Sequence, residues 1–225
     1  HLKDSYWLAV NYGIVDEAKK LGVGIQLKEA GGYENLARQQ AQLKEFKDAG
    51  VNGVILGSIS YAGNNDLVKE ITAAGIPVIE VINDIEAGEI AAKSLVSFYD
   101  MGFYAGEFVA QESETEGKST VNVLFLPGPK GSGWADDTVA GFKSATEFFD
   151  GEMNLVAVEW GDTGAGPQRH LMKDALAAHA EVDYIVGNAV AADVATEVLK
   201  EMNRKAKVVS TYITPPVYAK IKAGT

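Results

Sequence analysis

The chain has 225 residues with 47% hydrophobic and 23% charged side chains, an ordinary globular composition that excludes a disordered protein. Its formal net charge of -11, with no compensating cluster of Lys or Arg, disfavours nucleic acid and anionic lipid as partners. With no cysteine there are no disulfides, thiolate metal sites or cysteine nucleophiles, and no apolar run is long enough to span a bilayer.

Strand-like and helix-like segments alternate along the whole chain. The first helix is predicted at Tyr6–Leu21, followed by a strand at Val23–Lys28, a helix at Glu34–Ala49 and a strand at Val51–Leu56. A helix at Leu67–Ala74, a strand at Pro77–Ile82 and a helix at Tyr99–Gln111 come next. The second half predicts strands at Val121–Leu126, Leu155–Trp160, Tyr184–Val186 and Lys207–Thr211, with helices at Ala135–Phe149, Gln168–Ala180, Ala191–Met202 and Val217–Lys222. Most strand-like runs are dense in Val, Ile and Leu, as expected where both faces of a parallel sheet are covered. Gly22, Gly50 and Gly75 each stand between a helix and a strand, where a left-handed stop belongs. The pattern reads as a doubly wound α/β architecture. The rhythm breaks after Ile82, where Asn83–Glu89 holds no long helix and an extended piece there can cross to a second lobe. The lobes are therefore expected at 1–97 and 98–225. Since the alternation opens and closes on a helix, the chain reads as the core of a longer protein, lacking a strand before His1 and a segment after Thr225.

No catalytic constellation emerges. His170 and His179 are nine positions apart in one predicted helix, a spacing that makes no zinc pair, and no nucleophile elbow is present. Pro127–Gly133 lies where phosphate loops lie but lacks their glycine and lysine spacing, and Asp136 and Asp137 open the next helix with charges that oppose a phosphate. The chain is expected to be a binding protein without cofactor or metal, and not an enzyme.

In open α/β sheets ligands collect at the carboxyl ends of strands. Aromatic residues recur at those points: Tyr6 and Trp7 open the first helix, Tyr33 follows Val23–Lys28, Phe98 and Tyr99 stand at the entry to the second lobe, Trp134 follows the Gly-rich loop, and Tyr212 follows the last strand. Such faces suit an apolar ligand or a methylated ammonium held by cation–π attraction. Each is also at home in a core, and only their joint placement favours a ligand. Ser58, Asn83 and Asn188 end strands and offer neutral hydrogen bonds, with turn formation as their other role. Asp4, in the opening stretch Lys3-Asp4-Ser5-Tyr6-Trp7, serves equally as a ligand contact or as a helix cap.

The chain resembles the type I periplasmic binding proteins, the ribose-binding and LuxP-like superfamily. A polar residue and two aromatics at the start of the first helix are matched by Asp4, Tyr6 and Trp7; Ile76-Pro77-Val78-Ile79 and Val208-Val209-Ser210-Thr211-Tyr212 resemble two of the family's strands. The resemblance implies two lobes closing over a ligand, in the periplasm. Longer strings, among them Leu2–Leu8, Asn11-Tyr12-Gly13, Glu29–Tyr33, Gln39-Gln40-Ala41-Gln42, Ile55–Ser58 and Leu126–Pro129, are similar to the branch that senses trimethylamine N-oxide for a sensor histidine kinase. Where sugar binders of the family carry charged residues, this chain has Ile82-Asn83, Asp136 near Trp134, and Tyr212. The resemblance therefore implies a small methylated ligand held between the lobes, with an ABC-transporter receptor for a sugar or autoinducer as the alternative.

Overall fold

The computed structural model describes Leu2 and residues 4–224; Lys3 of the opening stretch, His1 and Thr225 lie outside the described residues. The chain forms two compact units, His1–Val96 with Gly131–Gly133, and Ser97–Lys130 with Trp134–Thr225.

The first unit contains α1 (Ser5–Leu21), α2 (Leu36–Asp48), β1 (Val54–Leu56), α3 (Asn65–Ala73), β2 (Val78–Ile82) and β3 (Ala92–Leu95). Its strands are parallel in the order β1-β2-β3, with Val54 opposite Val78 and Ile79 opposite Ala92. One face of this sheet is packed. Val54, Leu56 and Val78 meet Leu43 of α2 and Leu67, Val68 and Ile71 of α3, the inward stripe of a helix with apolar residues one turn apart. Ile55 and Ile79 point the other way and are exposed. Gly22, Gly50 and Gly75 take positive φ at the ends of α1, α2 and α3, as predicted.

Two features depart from the sequence reading. Val23–Lys28 pairs with no strand among the described residues, and Val23, Ile25 and Leu27 are exposed. Strand propensity expresses the fit to a paired, half-buried surface, and this segment has no pair. Conversely, Ala92–Leu95 is a strand although every residue in it is exposed. Its register with β2 comes from backbone hydrogen bonds, which leave no mark on hydropathy.

The second unit contains α4 (Phe98–Thr115), β4 (Thr120–Leu126), α5 (Trp134–Thr146), β5 (Glu152–Val158), α6 (Ala165–Ala178), β6 (Tyr184–Gly187), α7 (Ala189–Glu201), β7 (Lys207–Ser210) and α8 (Pro215–Ala223). The sheet is parallel in the order β5-β4-β6-β7, so chain progression reverses between β4 and β6. Alternate residues serve two cores. Leu124, Leu126 and Ile185 pack with Met172 and Leu176 of α6 and Val194 and Val198 of α7. Val121, Val123, Phe125 and Val186 pack with Val109 of α4 and Val139 and Phe142 of α5. Helices α4 and α5 meet backbone to backbone through glycines: a Cβ at Gly102 would fall 2.0 Å from the Thr138 carbonyl oxygen, and one at Gly141 1.9 Å from that of Tyr99.

Candidate functional site

In the first unit a cavity of about 140 Å³ opens at the carboxyl ends of β1 and β2. Trp7, Gln39, Tyr33, Ser58 and Asn83 line it, together with Val10, Ile14, Leu43, Phe46, Val54 and Leu56, which are residues of core type. Tyr33 joins Trp7 to Asn83. The Trp7 indole N–H donates to its hydroxyl oxygen at 3.3 Å, and the Asn83 side-chain amide donates to the same oxygen at 3.4 Å. Asn83 also donates to the Ser58 carbonyl at 2.7 Å. The indole ring lies over Gly57, where a Cβ would meet its edge at 2.6 Å. Glycine at 57 is thus what lets the Trp7 face lie against the end of β1.

Backbone geometry at the end of β2 aims Asn83. Ile82 has φ 73°, and the Asn83 N–H donates to the Val81 carbonyl at 2.9 Å, closing a three-residue turn around Ile82. A β-branched residue in this region carries strain, of a kind concentrated at functional sites. The turn following β1 is braced in its own way. Gln39 of α2 donates to the Gly57 carbonyl and accepts from the Ile59 N–H and from Asn64. The Ser58 hydroxyl donates to the Ser60 carbonyl and accepts from Asn64, and the Ser58 N–H donates to the buried Glu80 carboxylate at 2.8 Å. Ser58 therefore shapes the rim from below through its backbone.

Asp4 is buried and caps α1, accepting from the Tyr6 N–H at 2.9 Å. Tyr6 stands edge-on to Trp7, with ring centroids 6.1 Å apart, and burial followed by the Asp4 charge pushes its hydroxyl pKa up. Neither Asp4 nor Tyr6 lines the cavity. Of the first-unit candidates, Trp7, Tyr33, Ser58 and Asn83 are brought together, while Asp4 and Tyr6 support them from α1.

The second-unit candidates divide differently. Phe98 and Trp134 are buried against each other, centroids 5.3 Å apart, and the Trp134 ring covers Gly128. Asn188 is fully buried at the reversal of strand order; it caps α7 by accepting from the Val190 and Ala191 N–H groups, and donates to the Leu126 carbonyl. Tyr212 packs on Ala189, Ala192 and Val217. Tyr99 is 42% exposed, the most open of the candidate aromatics here. His170 pairs with Asp174 on the surface of α6, and His179 ends that helix.

Gln39, Asn64 and Glu80 brace the turn after β1, a support that sequence reasoning missed. The run Gln39-Gln40-Ala41-Gln42 carried a usable signal. Gln40 and Gln42 also donate to loop carbonyls, of Gly63 and Glu29.

The periplasmic binding protein domain matches residues 1–225. Periplasmic protein TorT of Escherichia coli strain K12 is 37% identical over 223 residues, 99% of this chain and 63% of TorT. The chain thus spans less than two thirds of the curated relative it matches. An ABC transporter solute binding protein from Bradyrhizobium sp. BTAi1, solved with bound Bis-Tris, is similar at TM-score 0.76 and 40% identity, covering 100% of this chain and 67% of that one. The complex of the TorS sensor domain with TorT in the presence of trimethylamine N-oxide is similar at TM-score 0.82 and 32% identity, covering 100% and 75%. This chain belongs to the periplasmic binding protein family, with the type I α/β fold of parallel sheets flanked by helices and a place in the periplasm.

Proposed function

We propose that this chain is a ligand sensor and not an enzyme, that it binds trimethylamine N-oxide, and that a TorS-like sensor histidine kinase reads the bound state. The carrying observation is the rim at the carboxyl ends of β1 and β2, where Trp7, Tyr33 and Asn83 are joined by hydrogen bonds, while the one lysine of the cavity lining, Lys28, is paired with Glu45. The ligand's three methyls on a positive nitrogen fit the face of an indole. Its oxygen needs a donor, and a phenol that already accepts two N–H bonds is a stronger O–H donor through polarisation. Tyr33 is that phenol. Residues 1–97 form the lobe carrying this rim, and 98–225 the lobe carrying Tyr99 and Tyr212. Asp4, Tyr6, Ser58 and Asn188 are scaffolding, and Phe98 with Trp134 forms a packed pair.

The similarity to TorT, which has been solved with TorS, favours the sensor reading. The 40% identity to an ABC transporter solute binding protein favours a second reading, a transport receptor for a small amine. Titration calorimetry with trimethylamine N-oxide, Bis-Tris and ribose, followed by capture on a TorS-like sensor domain, separates them. Heat from trimethylamine N-oxide and retention on the sensor domain are expected. Heat from ribose alone would overturn the ligand assignment, and binding without retention would favour transport.

A further inference from the structure

Glu80 sits in the middle of β2, fully buried, and belongs to no ion pair among the described residues. One carboxyl oxygen accepts from the Ser58 N–H at 2.8 Å, and the other is buried without a hydrogen-bond partner among the described residues. Its neighbour in register is Leu56 on the β1 side and Lys93 on the β3 side. Lys93 is engaged elsewhere, donating to Asp84 and to the Ile85 carbonyl, both at 2.6 Å. Helix α3, packed on β2, turns Leu67, Val68 and Ile71 inward and keeps Asp66, Lys69 and Glu70 exposed. From α2 and the turn after β1 come the neutral side chains of Gln39, Ser58 and Asn64. The charged groups acting on Glu80 are therefore Asp84 and Lys93.

We infer that Glu80 is a positioning residue of the site proposed above: its carboxyl group holds the Ser58 turn and, through Asn83 and Tyr33, the Trp7 wall, so that ligand affinity follows Glu80 protonation. This rests on the reading of the Trp7–Tyr33–Asn83 rim as the ligand grip. As a neutral acid, Glu80 accepts from Ser58 at little cost. Once ionised, it places a charge in the sheet interior, where one hydrogen bond is poor compensation. The adjacent cation is Lys93, and drawing Lys93 across releases Asp84 and the Ile85 carbonyl. The segment so loosened begins one residue after Asn83, whose two bonds fix the Ser58 carbonyl and Tyr33. Burial, reinforced by Asp84 and opposed by the Ser58 N–H and Lys93, pushes the Glu80 carboxyl up to about 8. The switch thus lies just above neutral pH.

The test has two readouts on the whole chain. Without ligand, the Ser58 amide and Trp7 indole N–H resonances are followed from pH 6 to 10 in wild type and in Glu80→Gln, which keeps an acceptor for Ser58 and cannot ionise. With trimethylamine N-oxide, Kd is measured by calorimetry over the same range. Expected are a Ser58 resonance that titrates in wild type only, and a wild-type Kd rising about tenfold between pH 7 and 9, one bound proton's worth, against a flat Glu80→Gln. Glu80→Leu, checked for folding by circular dichroism, is expected to bind more weakly at every pH. A Glu80→Gln curve that parallels wild type, or a Ser58 resonance indifferent to pH, would overturn the inference. If wild type binds no trimethylamine N-oxide yet Ser58 titrates through Glu80, the ligand reading fails and the positioning role stands.

Discussion

Trp7 and Gly57 form a matched pair at the residue scale. The indole face is available to a ligand because position 57 has no Cβ, and its N–H is pinned by Tyr33. Trp7→Ala is expected to weaken trimethylamine N-oxide binding by about 1–2 kcal/mol, the range for a desolvated cation–π contact, read by calorimetry. An unchanged Kd would remove Trp7 from the site. Gly57→Ala approaches the same wall from the other side: its methyl would sit 2.6 Å from the ring edge, and the ring must turn away. The expected result is a Kd shift of the same direction, with a stability loss of about 1–3 kcal/mol from overpacking in urea unfolding. The pairing of a glycine with an indole fifty positions earlier is a tertiary fact. In the sequence, Gly57 reads only as the end of a strand.

At the scale of elements, β2 and the α4–α5 pair carry the sharpest consequences. The folded Glu80 keeps its proton up to about 8, against an ordinary value of 4.5. Between these values the folded chain holds a proton that the unfolded chain has lost, so stability falls as pH rises through that window. The loss is on the order of 5 kcal/mol, complete above the folded value. Chemical unfolding of wild type from pH 5 to 9 is expected to show this decline, and Glu80→Gln to be nearly free of it. In the second unit, Gly141→Ala would drive a methyl to 1.9 Å from the Tyr99 carbonyl oxygen. Backbone on both sides gives little room to relax, so destabilisation of about 3 kcal/mol is expected in thermal or urea unfolding. Tolerance of this change would mean that the helices do not meet at these glycines. Helix periodicity located α4 and α5 to within a few residues, but it assigns no packing role to Gly102, Gly106 and Gly141. Their packing purpose needs both helices in view.

For the whole molecule, function is a difference in free energy between bound and free states. A ligand that binds the folded chain alone stabilises it by about 2.7 kcal/mol at one hundred times its Kd. Trimethylamine N-oxide is therefore expected to raise the midpoint of thermal unfolding, and ribose at equal concentration to leave it unmoved. The reverse pattern would return the chain to the sugar binders of its family.

The sequence by itself determined the class of fold, because burial on both faces of a parallel sheet demands short runs of Val, Ile and Leu separated by amphipathic helices, and such runs are visible one at a time. The resemblance carried by the opening stretch and the glutamine run identified the family. Val23–Lys28 and Ala92–Leu95 mark the limit of that legibility: the first has strand residues without a pair, the second a pair without strand residues. Pairing is decided by which backbone lies alongside, and only the tertiary structure holds that information. The same holds for the site. Tyr33 with Trp7 and Asn83, the strained turn at Ile82, and Glu80 beneath Ser58 join residues up to fifty positions apart, so their hydrogen bonds exist only once the chain has folded.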